Sequence, residues 1–204
     1  VSLCAEMKRP IEQMTLGADP GRWTEAGFGI SGEAMRVGEV PLVFGPGEGM
    51  LGWRLAGFDG EVDGLPVASP SHVVAAESAH TNGAIRVDHL VVFTPDLERT
   101  TAALEEIGIE RRRVREVEAD GSPLRQGFFR LGEVILEVVE HVNVEPGPAR
   151  FWGITFAVAD LDAAAELLGD RLRSIRDAVQ PGRRIATVRT EAGLGLPVAL
   201  ISDG

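Results

Sequence analysis

The sequence predicts an α+β protein built from tandem βαβββ modules whose strands form one cupped mixed sheet. Three observations lead there. A strand, a helix and three further strands between residues 85 and 141 recur in the same order between 151 and 204. Each predicted helix opens on the same dipeptide, Asp96-Leu97 and Asp160-Leu161, 64 residues apart. The 25 glycines and 12 prolines describe short elements joined by tight turns rather than long helices.

The first copy begins with an apolar, β-branched run over 87–93, closed by Thr94-Pro95, which reads as a strand buried on both faces. Leu97, Ala102, Leu104 and Ile107 then recur at near-helical spacing up to Gly108, a natural stop. Strands follow at 113–118, 127–131 and 134–141, with turns at Asp120-Gly121 and Gly132. In the second copy the first strand is 151–158. Its helix runs through Leu167 and Leu168 to Gly169, and its later strands are 173–179, 184–189 and 197–202. The helix anchors place His89 on Gly153, and a two-residue contraction places Glu137 on Ala199.

The domain reading is therefore a glycine-rich region over 1–65, a linker over 66–84 marked by Pro66, Ser69, Pro70 and Ser71, and a paired-module domain over 85–204 with modules at 85–141 and 151–204. The first region carries a fainter echo. Residues 37–42 match 131–136, and 52–55 match 153–156. This predicts a degenerate, truncated pair of modules, with a first strand at 14–17, a short helix at 21–26 and the start of a partner at 50–57.

Composition excludes several function classes. A net charge of −11 repels phosphate backbones and anionic lipid, so neither nucleic acid nor membrane is an expected partner. No apolar run approaches the ~20 residues of a membrane helix, no export signal is legible, and the protein is expected to be cytoplasmic. A single cysteine, Cys4, excludes an internal disulfide framework and reads as an incidental thiol. Gly45-Pro46-Gly47-Glu48-Gly49 lacks the lysine and the strand-to-helix setting of a phosphate loop, and no organic cofactor is indicated.

Two consecutive βαβββ units, with Asp88-His89-Leu90-Val91-Val92 in the first strand and Leu136-Glu137-Val138 in a final strand, resemble the vicinal oxygen chelate superfamily of glyoxalases, extradiol dioxygenases and bleomycin-resistance proteins. The resemblance covers 85–203 well and 11–65 loosely. It implies a glyoxalase-like fold and a small-molecule enzyme of lyase, isomerase or dioxygenase class. A divalent metal (zinc, iron or manganese) would sit in the cup where first and last strands meet. Of the strand positions that supply ligands in the superfamily, this chain has His89 and Glu137, but Gly153 and Ala199 at the other two. His141, Glu12 or Gln13, or a second chain in a homodimer, are the routes to a fuller donor set.

Strand alternation supports the placement independently. It puts His89 on one face with Val87, Val91 and Phe93, and Glu137 with Ile135, Val139 and His141. An imidazole and a carboxylate on apolar faces need a partner. A metal is one, and direct pairing with each other or with water is another. Without metal, Glu137 is the candidate general base. The alternative function is a metal-free protein that binds or sequesters a small organic ligand, with Trp152 as an apolar wall and Gln180, Arg183 and Arg184 as polar contacts. Arg111-Arg112-Arg113 with Arg115, flanked by glutamates, reads as a solvated mixed-charge edge strand.

Overall fold

Runs of Val, Ile, Leu and Phe broken by glycine turns fold as strands in the computed structural model, which describes residues 9–71, 79–119 and 121–204. Cys4 lies outside these residues. The first region contributes β1 (Ile11–Gly17), α1 (Pro20–Glu25), β2 (Ala34–Val37), β3 (Val40–Gly45) and β4 (Gly49–Leu55), a four-stranded sheet in the order β2-β3-β1-β4. Next come β5 (Ala84–Thr94), α2 (Leu97–Glu106), β6 (Arg111–Ala119), β7 (Ser122–Leu131) and β8 (Val134–His141). The last set is β9 (Arg150–Val158), α3 (Leu161–Leu168), β10 (Arg176–Asp177), β11 (Arg184–Thr187) and β12 (Val198–Ser202). These strands form one eight-stranded sheet, β10-β11-β12-β9-β5-β8-β7-β6. It is a curled mixed sheet of the glyoxalase-like kind.

The duplication is written into the register. β5 and β8 are parallel with Val91 opposite Glu137, and β9 and β12 are parallel with Thr155 opposite Ala199, the same pair after the 64-residue shift and the two-residue contraction. Both helices are capped alike. The Asp96 side chain accepts from the Arg99 amide at 3.0 Å, and that of Asp160 from the Asp162 and Ala163 amides at 2.9 and 3.0 Å. The predicted strand over 173–179 shrinks to the two residues of β10.

The N-terminal sheet repeats half of this plan. β1 pairs in parallel with β3, β3 pairs antiparallel with β2, and β4 pairs antiparallel with β1, as β5, β8, β7 and β9 do. Its own face is filled by the chain that follows. Ala68 N donates to Trp53 O at 2.8 Å, and a side chain at Gly52 would lie 2.9 Å from the Pro66 carbonyl oxygen, so only glycine admits this approach. Gln13 is spent here too, donating to the Ser69 carbonyl at 3.1 Å and accepting from the Ser71 amide at 3.1 Å.

One face of the large sheet is buried and the other is open. Leu90, Val92, Leu136, Val138, Ile154 and Phe156 are each 1% exposed or less, under the two helices and the N-terminal sheet. Trp23 and Phe28 set their rings 5.9 and 4.9 Å from Phe156, and Trp53 lies 5.2 Å from Phe151. Burying a side chain of this size contributes about 1.5–3 kcal/mol, so the N-terminal sheet forms one core with the large sheet. The opposite, concave face carries the remaining chemistry.

Candidate functional site

Alternate residues of several strands point into the concave hollow. One lobe of about 280 Å³ is largely apolar and lined by Val91, Phe93, Val139, Trp152, Thr155 and Ala199, among others. An adjoining lobe of about 250 Å³ is lined by Arg113, Arg115, Phe128, Arg176 and Gln180. His89, Gln126, Glu137, Arg176 and Ile185 border both. The ring of Trp152 stacks on that of Phe93, centroids 5.1 Å apart.

His89 reaches the hollow through a break in strand alternation. Val87 lies opposite Phe156 and His89 opposite Thr155, so Asp88 is an extra residue bulged out of β5. Val87 therefore turns to the buried face with Phe156, and does not share the face of His89 as simple alternation predicts. The bulge brings Asp88 beside its neighbour, where Asp88 Oδ2 lies 2.9 Å from His89 Nδ1. An ionised carboxylate only accepts, so Nδ1 carries the proton, and the lone pair of neutral His89 is on Nε2.

Asp88 is 4% exposed, and it is held from behind. Arg183 Nη2 donates to its Oδ1 at 2.8 Å, and Arg86 Nη2 lies 3.3 Å from the same atom. Burial would raise the Asp88 pKa, but hydrogen bonds from His89 and Arg183, with the charges of both, outweigh it and lower the value from 3.8 to about 2. Arg183 thus supports Asp88, and its Nε donates to the Ser202 carbonyl at 2.8 Å. It is not among the residues lining either lobe. The Arg184 guanidinium pairs with Asp162 at 2.7 Å and lines neither lobe. Gln180 and Trp152 do border the hollow.

Glu137 takes a hydrogen bond from Gln126 Nε2 to its Oε1. The same amide leaves Oε1 of Gln126 buried with no partner, a costly arrangement in a pocket wall. Arg115 sits directly across the β6–β7 ladder from Gln126, and Arg113 from Phe128, with the Arg113 guanidinium 4.7 Å from that ring's centre. β6 is the edge strand expected, with Arg112, Arg113, Glu116 and Glu118 exposed, and two of its arginines, Arg113 and Arg115, also border the hollow. Within the basic run, Arg111 makes the expected ion pair, with Glu98 at 2.9 Å.

The superfamily resemblance implies a metal, and the donor set does not fit one. Among the described residues no three His, Cys, Asp or Glu side chains gather as a metal group, whereas catalytic zinc and open iron sites use about three protein ligands. A side chain at Gly153 would meet the Pro197 carbonyl oxygen at 2.6 Å, so this position has no room for a donor. Pro197 occupies the space that a side chain would need. The routes within the chain lead elsewhere. His141 Nδ1 accepts from the Asn143 amide at 3.2 Å outside the hollow, and Glu12 borders a separate depression between the two sheets.

The fold is shared with solved structures. Methylmalonyl-CoA epimerase from Mycobacterium tuberculosis superposes with a TM-score of 0.50 at 17% identity, over 65% of this chain and 94% of that one. A variant of 4-hydroxymandelate synthase from Streptomyces coelicolor superposes with a TM-score of 0.57 at 15% identity, over 96% of this chain and 92% of that one. Both are vicinal oxygen chelate enzymes, and the likeness is one of fold. No protein-family profile matches the chain, and no curated protein matches it in sequence.

Proposed function

We propose that this chain is a small-molecule enzyme of the vicinal oxygen chelate type that moves a proton with its own side chains. The observation that carries this reading is that His89 and Glu137 border the same hollow, each held by a dedicated neighbour, Asp88 and Gln126. The donor set supports no metal-borne step, so the chemistry is assigned to these residues.

Glu137 is the general base. It takes a proton from a carbon beside a carbonyl, leaving an enolate in the hollow and the proton on its own carboxyl, and delivering that proton to a different carbon conjugated with the enolate completes an isomerisation. Gln126 steadies the carboxylate through Oε1 and leaves Oε2 to do this work. His89 presents Nε2 to the bound molecule as a hydrogen-bond acceptor, with its tautomer fixed by Asp88. Val91 and Trp152 give the bound molecule an apolar wall.

The test is deuterium incorporation from heavy water into two neutral C–H acids, acetylacetone and dihydroxyacetone, and two anionic ones, acetoacetate and 2-oxobutanoate. EDTA-treated protein should catalyse exchange into at least one, and Glu137→Gln should lower that rate by about 100-fold or more. Exchange that is absent for all four, or unchanged in the variant, contradicts the reading. The second reading, a protein that binds its ligand without turnover, is favoured by the exposed Trp152–Phe93 stack in the same hollow. It predicts ligand affinity that survives Glu137→Gln with no exchange in either protein.

A further inference from the structure

We infer that the hollow takes an organic anion that also carries a hydrogen-bond donor such as a hydroxyl. The inference rests on the hollow being the ligand site and adds the class of ligand. Its first support is charge. Arg113, Arg115 and Arg176 line one lobe, and none makes an ion pair among the described residues, although the chain carries 31 acidic residues against 20 basic. Arg111, Arg125, Arg183 and Arg184, on the same strands or next to them, are each satisfied by a carboxylate. Guanidinium groups left unpaired in an acidic protein, facing one hollow from both ends of the sheet, are matched to an anion from outside.

The second support is independent of charge. Gln126 Oε1 is buried in the wall between the two lobes and has no donor. Its amide cannot be turned to cure this, because Nε2 is committed to Glu137. A ligand hydroxyl satisfies the orphan acceptor, and both Glu137 and His89 Nε2 are further acceptors on the same side. The polarity of the ligand follows: its carboxylate or phosphate lies among the arginines, its donor reaches Gln126, and its apolar body lies against Trp152 and Phe93.

The experiment is calorimetric titration of the full chain with three matched probes: 4-hydroxybenzoate, benzoate, which lacks the hydroxyl, and 4-hydroxybenzamide, which lacks the charge. The expected order of affinity is 4-hydroxybenzoate, then benzoate, then 4-hydroxybenzamide. Arg115→Gln and Arg176→Gln should each weaken the first probe by about tenfold, and Arg173→Gln, outside the hollow, should not. Amide binding as tight as acid, arginine variants without effect, or no binding of 4-hydroxybenzoate overturns the inference. Benzoate equal to 4-hydroxybenzoate overturns its hydroxyl half. The proton-transfer reading fails separately, by absence of exchange into the neutral and anionic C–H acids alike.

Discussion

Gly153 is where side-chain chemistry and backbone packing meet most tightly. Its missing side chain leaves room for the Pro197 carbonyl, which also accepts from the Ile154 amide at 3.0 Å. Adding one methyl group there forces the start of β12 outward, so Gly153→Ala should destabilise the protein by about 1–3 kcal/mol, read as a lower urea midpoint. An alanine variant as stable as the parent would contradict the placement of Pro197. Asp88 offers a second residue-scale test. Its folded pKa of about 2 lies below the ordinary 3.8, so the stability it supplies is complete above pH 3.8 and is lost as pH falls towards 2. Asp88→Asn should remove that part of the acid transition, and should slow exchange by releasing His89 Nδ1.

At the scale of elements, the sequence was legible wherever alternation ran unbroken. β8 keeps strict period, so Glu137 could be placed on the open face from the sequence, and the duplication arithmetic survives in the paired register, whereas β9 carries an extra residue at Trp152. β5 could not be read so simply, because the extra residue Asp88 is invisible to a period count and only the partner strand reveals it. The partner of Arg183, the Asp88 carboxylate that the bulge buries, is hidden from a period count for the same reason. In β6 the charge pattern gave the exposed edge strand but not the face its arginines share. Arg113 and Arg115 share parity, and pairing them with Phe128 and Gln126 would have turned both inward. The end of the linker carries its own prediction. His80 Nδ1 accepts from the Gly29 amide and its Nε2 donates to the Arg36 carbonyl, both at 2.9 Å. Burial lowers its pKa, against the opposing effect of the Arg36 hydrogen bond. The folded state therefore resists protonation, and stability should be full above the ordinary value of 6.5 and decline as pH falls below it. His80→Ala should lack this decline when urea midpoints are compared between pH 7.5 and 5.5.

For the whole molecule, the division of labour between the two faces of the large sheet is the governing feature. The buried face is shared with an N-terminal sheet whose own concave side is filled by residues 66–71, while the concave face of the large sheet stays open. Phe156 joins the two sheets through Trp23 and Phe28, so Phe156→Ala should cost about 3–5 kcal/mol and lower one cooperative unfolding transition rather than split it in two. The hollow itself depends on two strand-borne side chains acting without a third donor. Proton exchange by EDTA-treated protein measures that dependence most directly. The account predicts deuterium entering a C–H acid at an undiminished rate after chelation and at a negligible rate in Glu137→Gln. Exchange that stops on chelation and returns with zinc or manganese would contradict it.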